Sequence, residues 1–211
     1  FHMQHKVKEI KKHKSGATIH TIDKEGTKKD FDCDVVLISV GRRPYPDLLG
    51  LENAGISVDK RGFVPVNDFC ETQSSGIYAI GDLIDTPQLA HVAFAEAILA
   101  IKRICREDVT PVDYAKVPWA IYCHPEVAFA GLSEAEAIET GYEVEVSKHR
   151  YSGNGRAMIV GDTDGLVKVV AEKLPDGTLG QILGVHMVGP WVTEQLGQGY
   201  LAVNWEATVA E

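Results

Sequence analysis

The stretch from Ser75 to Ala97 constrains the fold of this chain more than any other part of the sequence. An apolar run, Ile77–Ile80, predicts a buried strand that ends at Gly81. After Pro87, apolar residues recur at the spacing of a helix: Leu89, Val92, Ala93, Ala97, Ile101, Ile104 and Cys105. This order of strand, turn and helix indicates an α/β segment, in which ligands lie at the carboxyl end of the strand.

Two residues in the turn have properties that suit a binding site. Gly81 lacks a Cβ atom, so the backbone can turn sharply there or a ligand can approach closely. Asp82 places a carboxylate beside the predicted helix N-terminus, whose free N–H groups suit an electron-rich ligand. Taken alone, a Gly-Asp pair after a strand more often marks a turn with a solvated carboxylate.

The complete run resembles the second FAD motif of the flavoprotein disulfide reductase family. In that family, Ala-x-Gly-Asp ends a strand and its Asp binds the ribityl hydroxyls, while Leu-Ala-His opens a helix that faces the flavin pyrimidine ring. The resemblance implies that FAD contacts this chain at six residues: Gly81, Asp82, Gln88, Leu89, Ala90 and His91. The positive end of a helix would stabilise the negative charge of a reduced flavin. The Leu-Ala-His version is most similar to the dihydrolipoamide dehydrogenase group of the family.

Residues 1–40 predict three strands, and the last of them, Lys28–Val40, contains the apolar run Val35–Ile38. Such a run is typical of a strand buried on both faces. The following Gly41–Pro44 turn resembles the exit from the nicotinamide-binding domain of the same family, which ends in a three-stranded meander. The resemblance implies that the backbone of Gly41 lies near NAD.

Residues 46–113 resemble the return of the chain into the FAD-binding domain. Within them, Phe63–Val66 predicts a short strand that Pro65 places towards a sheet edge. A stretch with two prolines, 108–118, predicts a boundary. Beyond it we predict an α+β domain with an antiparallel sheet, a helix capped at Ser133, a hairpin across 175–177 and a last helix that starts at Glu206. The runs Tyr122–Glu134 and Gly184–Pro190 resemble the interface domain of the family, which implies a homodimer.

The predicted fold class is therefore mixed α/β and α+β, in three parts. Residues 1–45 are the C-terminal end of a nicotinamide-binding domain, 46–113 the C-terminal segment of an FAD-binding domain, and 114–211 a dimerisation domain truncated at its C-terminus. The resemblance implies FAD and NAD as cofactors. It also implies lipoyl-bearing proteins of 2-oxo-acid dehydrogenase complexes as partners, in the bacterial cytoplasm or the mitochondrial matrix.

No catalytic residue is predicted. The family needs a redox disulfide, Gly-rich dinucleotide loops and an acid–base His, and none of the three is found among these residues. His124 precedes a Pro, as the acid–base His does, but it matches a different family position. We therefore expect the 211-residue chain to be inactive by itself.

Composition excludes several other functions. A net charge of −9 argues against a nucleic-acid surface, and no apolar run approaches the roughly 18 residues of a membrane span. The four cysteines lie far apart in apolar sequence, which predicts buried thiols and no metal site.

The same residues also fit two other kinds of protein. One is a sister flavoenzyme, similar to glutathione or mercuric reductase; these enzymes usually have Thr-Pro where this chain has Ala90-His91. The other is a dimerisation module without a cofactor or catalysis.

Overall fold

A computed structural model describes residues 1–211, which form two compact units, 1–43 and 44–211. The first unit is an antiparallel meander, as predicted, with strands β1 (Lys6–His13), β2 (Gly16–Ile22) and β3 (Lys28–Cys33) in that order. Polar pairs join β2 to β3: His20 Nδ1 lies 2.7 Å from a carboxylate oxygen of Asp30, and Thr18 donates to Asp32 over 2.6 Å. Cross-strand pairs of this kind stabilise a sheet with little core of its own.

The prediction of a buried strand at Val35–Ile38 is wrong. β3 ends at Cys33, and the side chains of Val35 and Leu37 are 82% and 88% exposed. A strand buried on both faces needs hydrogen-bonded neighbours and covering layers. The sheet of the first unit consists of β1, β2 and β3 alone, so this apolar run has neither.

The second unit begins with turns rather than regular strands. The strand predicted at Ile77–Ile80 is reduced to one isolated bridge between Glu71 and Tyr78, and the strand predicted at 63–66 to a bridge between Val66 and Thr72. A tight turn, in which the Ile77 amide donates to Ser74 over 3.1 Å, leaves too few residues for a ladder. Both strand predictions are therefore wrong, although the segment still leads into Gly81 in an extended conformation.

Helix α1 (Ala90–Ile104) confirms the helix predicted after Pro87. One of its sides is buried against the core of this segment: Val92, Glu96, Leu99 and Ala100. Other apolar side chains of α1 are exposed: Phe94, Ile98, Ile101 and Ile104. The helix therefore has more apolar surface than this chain covers. No helix of the chain is both long and apolar enough to cross a membrane.

The rest of the second unit is built on a five-stranded sheet, and this confirms the predicted antiparallel α+β arrangement. Its strands are β4 (Trp119–Ile121), β5 (Glu126–Gly131), β6 (Val144–Arg150), β7 (Leu166–Lys173) and β8 (Leu179–Gly189). Their spatial order is β4-β5-β8-β7-β6, and every neighbouring pair is antiparallel.

Three helices accompany this sheet. Ser133 caps α2 (Glu134–Glu139) as predicted, α3 (Gly155–Val160) was not predicted, and α4 (Val192–Asn204) lies against β5 and β8. The last helix, predicted from Glu206, is absent: the amide of Ile182 donates to Ala207 over 2.9 Å instead. β5 pairs with β8 only from Gly184 onward. The backbone N–H and C=O groups at the start of β8 on that side therefore need other partners, and the C-terminal residues supply them.

Candidate functional site

The turn at Gly81 is a single turn of 3-10 helix, Gly81–Leu83, that follows an extended Ile80. Gly81 has φ +67°, and an added Cβ would lie 3.3 Å from the Cβ of Ala93 in α1. Both the left-handed backbone and the close helix favour glycine here. Asp82 is exposed on the turn, whereas Ile84 just after it is fully buried and anchors the turn in the core.

A buried carboxylate lies behind this turn. Glu96 of α1 has no exposed surface. Its Oε2 accepts a hydrogen bond from the Gly81 amide over 2.6 Å, and its Oε1 accepts from the hydroxyls of Thr86 (2.7 Å) and Tyr114 (3.1 Å). Burial, followed by the charge of Glu96, raises the pKa of Tyr114, so this phenol stays protonated and remains a donor.

Six residues, 84–89, separate the 3-10 turn from the N-terminus of α1, which is not capped by any side chain. The amides of Val92 and Ala93 both turn back to the carbonyl of Leu89, each over 3.1 Å. There is no acidic residue in the first turn, and Ala90 and His91 are exposed. The positive end of the helix dipole is therefore open to an outside acceptor.

His91 connects the start of α1 to Pro118, the residue just before β4. Its Nε2 lies 2.8 Å from the carbonyl oxygen of Pro118, and because a carbonyl only accepts, this nitrogen must carry the proton. A cavity of about 260 Å³ opens beside His91, between β4 and α4. Its lining includes Trp119, Tyr122 and Tyr200. Sites for small molecules usually measure roughly 300–1,000 Å³, so this cavity alone is small for a cofactor.

The structure brings six of the seven predicted site residues into one unit. Gly81 and Asp82 lie on the 3-10 turn. Gln88 and Leu89 lead into α1, and Ala90 and His91 are its first residues; this helix packs against the turn. Gly41 belongs to the first unit, where it is exposed with φ +104°, a conformation that favours glycine.

Sequence reasoning missed Glu96 and its partners Thr86 and Tyr114. Glu96 stands four residues from both Val92 and Ala100, which are buried on the same side of α1. A charged residue within an apolar helical stripe is rarely buried unless it is hydrogen-bonded. That spacing was the available indication of a buried carboxylate.

The cysteines differ from the prediction that all four are buried. Cys70 is buried, and desolvation, with a smaller effect from the Glu96 charge, raises its pKa to about 11. Cys105 and Cys123 are exposed, because one follows the end of α1 and the other lies in the loop before Pro125. No group of three His, Cys, Asp or Glu residues has the arrangement of a metal site.

The His124-Pro125-Glu126 run has an evident architectural role. Glu126 Oε2 accepts hydrogen bonds from the amide (3.1 Å) and the hydroxyl (2.7 Å) of Thr193, in the first turn of α4. A carboxylate at a helix N-terminus satisfies donors that the helix cannot. This contact joins β5 to α4, and the Glu126 carboxylate is engaged in these two hydrogen bonds.

Comparison with known proteins agrees with this arrangement of turn and helix. The family model for the pyridine nucleotide-disulphide oxidoreductases matches residues 1–97, and the model for the dimerisation domain of that family matches residues 117–211. The chain belongs to the pyridine nucleotide-disulphide oxidoreductases. Within the family its sequence is dihydrolipoamide dehydrogenase-like, as its curated relatives show.

Three of those relatives are dihydrolipoyl dehydrogenases. The mitochondrial protein of Caenorhabditis elegans is 41% identical over 188 residues, 89% of this chain and 37% of the relative. The Cupriavidus necator protein is 37% identical over 201 residues (95% and 41%), and the human mitochondrial protein 41% over 183 residues (87% and 35%). The chain thus spans about two fifths of the length of these relatives.

Solved structures show the same fold at lower identity. LpdA from Mycobacterium tuberculosis superposes with a TM-score of 0.86 at 23% identity, over 98% of this chain and 43% of that one. The HOCl-induced flavoprotein disulfide reductase RclA from Escherichia coli gives 0.83 at 23% identity, over 95% and 44%. The architecture is therefore that of the flavoprotein disulfide reductases.

Proposed function

We propose that the 3-10 turn and the start of α1 hold FAD, with Asp82 accepting hydrogen bonds from its ribityl hydroxyls. The observation that carries this proposal is the position of an exposed carboxylate on a glycine turn packed against an uncapped helix N-terminus. A carboxylate suits sugar-like hydroxyls, and uncapped helix amides suit the electron-rich edge of a flavin. The residues present therefore fit this cofactor.

The proposed activity of the protein that contains this chain is oxidation of dihydrolipoamide with NAD. The names of the curated relatives support this activity. When bound, FAD supplies the two-electron chemistry of such a reaction. The chain itself would orient the flavin through Asp82 and Gln88–His91, and Gly41 would approach NAD through its backbone.

The match of residues 117–211 to a dimerisation domain supports a homodimer formed through that part of the chain. Within the second unit we place the boundary of this domain at 113/114, after an FAD-binding segment that begins at 46. Lipoyl-bearing proteins of 2-oxo-acid dehydrogenase complexes are the proposed partners, in the mitochondrial matrix or the bacterial cytoplasm. The exposed apolar residues of α1 support a role within a larger assembly, since a helix apolar on more than one side is normally covered.

A segment exchange tests the proposed activity. The matched segment of the Cupriavidus necator relative would be replaced by this chain, and the hybrid purified as a dimer with its flavin. We expect the hybrid to reduce NAD with dihydrolipoamide and to show little activity with glutathione disulfide. A flavin-loaded hybrid that prefers glutathione disulfide would contradict the proposed substrate.

A further inference from the structure

Glu96 is the buried charged residue that the proposed flavin contacts leave unused. Three donors from three separate parts of the chain converge on it: the Gly81 amide, the Thr86 hydroxyl and the Tyr114 hydroxyl. An ionised carboxylate only accepts, so this set of donors matches its chemistry. A buried charge that lost these donors would be costly.

We propose that Glu96 is a positioning residue, which fixes the backbone of the Asp82 turn against α1 and links that turn to Tyr114. The inference rests on the proposed flavin site. Gly81 has no side chain that could fix its position by packing. Its backbone amide donates the 2.6 Å hydrogen bond to Glu96 Oε2. Asp82 is the next residue, so the direction of its carboxylate depends on this bond.

The second carboxylate oxygen of Glu96, Oε1, accepts hydrogen bonds from two further parts of the chain. Thr86 lies in the connection between the turn and α1, and Tyr114 lies near the start of the segment that leads into the five-stranded sheet. The side chain of Glu96 therefore fixes the positions of the turn, the connection to α1 and the segment around Tyr114 relative to one another. Removing the Glu96 carboxylate would break the hydrogen bonds of all three parts at once, which a loss of apolar packing alone would not do.

The chemistry of the donors makes glutamine a specific control. Hydroxyls can either donate or accept, whereas a backbone N–H can only donate. In E96Q the amide oxygen can face Gly81, and the amide NH2 can donate to the hydroxyls of Thr86 and Tyr114. E96Q should therefore preserve the anchor that E96A removes, and Y114F should remove one donor without touching the Gly81 bond.

The first measurement is amide hydrogen exchange by NMR on the full 211-residue chain, compared among wild type, E96A, E96Q and Y114F. We expect E96A to raise exchange at Gly81 by at least about tenfold relative to the amides in the middle of α1, as loss of a bond to a charged acceptor implies. E96Q and Y114F should stay close to wild type at Gly81. Equal exchange at Gly81 in E96A and wild type, or a uniform rise along α1, would overturn the proposal.

The second measurement is FAD titration of the same four proteins. If Glu96 positions the site, E96A should bind FAD at least about tenfold more weakly, and E96Q should recover most of the affinity. Unchanged affinity in E96A would overturn the positioning role. A wild-type chain that binds no FAD would count against the proposed flavin site, and the exchange data would then decide the role of Glu96 in the turn by themselves. If E96A does not fold, a loss of Gly81 protection in E96Q would overturn the proposal.

Discussion

The carboxylate of Glu96 and the amide of Gly81 are joined by a 2.6 Å hydrogen bond, so a side chain buried in α1 holds the backbone of the turn that presents Asp82. The two residues are 15 positions apart in the sequence. The bond connects packing in the helix to the geometry of the candidate site.

Gly81 should be the least tolerant glycine of this segment. In G81A the new methyl group would occupy a left-handed conformation and approach Ala93 at 3.3 Å, so we expect the free energy of unfolding to fall by about 1–2 kcal/mol or more. The control is G55A, because Gly55 has a similar φ of +69° and nothing within 4 Å of an added Cβ. Denaturant unfolding of both variants separates backbone strain from contact with α1. An equal loss in the two variants would show that the contact with Ala93 has no effect.

The cap of α2 should contribute a measurable share of stability. Ser133 Oγ accepts from the Glu136 amide over 3.2 Å, and Glu136 accepts from the Ser133 amide over 2.8 Å. We expect S133A to lower the free energy of unfolding by about 1 kcal/mol. The comparison is with E139A, since Glu139 is an exposed residue at the end of the same helix. A larger loss in E139A would contradict this role of the cap.

The same cap predicts the sign of a pH dependence. Hydrogen bonds from the Ser133 hydroxyl and amide lower the pKa of Glu136 below its ordinary 4.5. The folded state therefore gains stability above that value and loses it as the pH falls through the lowered pKa. The difference in unfolding free energy between wild type and E136Q should shrink from neutral pH to about pH 3. A difference that grows in acid would contradict the direction of this shift.

The cysteines should divide by exposure rather than by sequence context. Burial raises the pKa of Cys70 to about 11, so its thiol is protonated as well as shielded. At about pH 8 we expect iodoacetamide to label Cys105 and Cys123 in the folded chain and to label Cys70 only after unfolding, because the thiolate is the nucleophile. Peptide mass spectrometry measures each site. Rapid labelling of Cys70 in the native chain would contradict its buried position.

The sequence predicted those elements whose pattern is satisfied locally. The helix after Pro87, the Ser133 cap and the β7–β8 hairpin depend on spacing, capping and turn residues that lie close together in the chain, and all three are present. The apolar run Val35–Ile38 does not form the predicted strand. A buried strand needs neighbouring strands and covering layers, and the first unit provides neither for this run. Periodicity reports what a segment would bury, and it does not report whether a partner is there.

The candidate site was predicted in a similar, partial way. Asp82 and the start of α1 are found on one turn and one helix end, where the motif placed them. The helical spacing of Glu96 indicated its burial but not its partners. Its hydrogen bonds join positions up to 18 residues apart, and no spacing rule relates such positions. Long-range polar contacts of this kind become visible only in the folded chain.

The flavin content of the segment-exchange hybrid, with and without D82N, shows whether Asp82 belongs to the flavin site. We expect the hybrid to be purified with FAD and D82N to weaken its FAD binding by at least about tenfold. D164N, at an exposed carboxylate elsewhere, should leave FAD binding unchanged. A D82N hybrid that retains FAD as tightly as its parent would contradict the assignment of Asp82 to the flavin site.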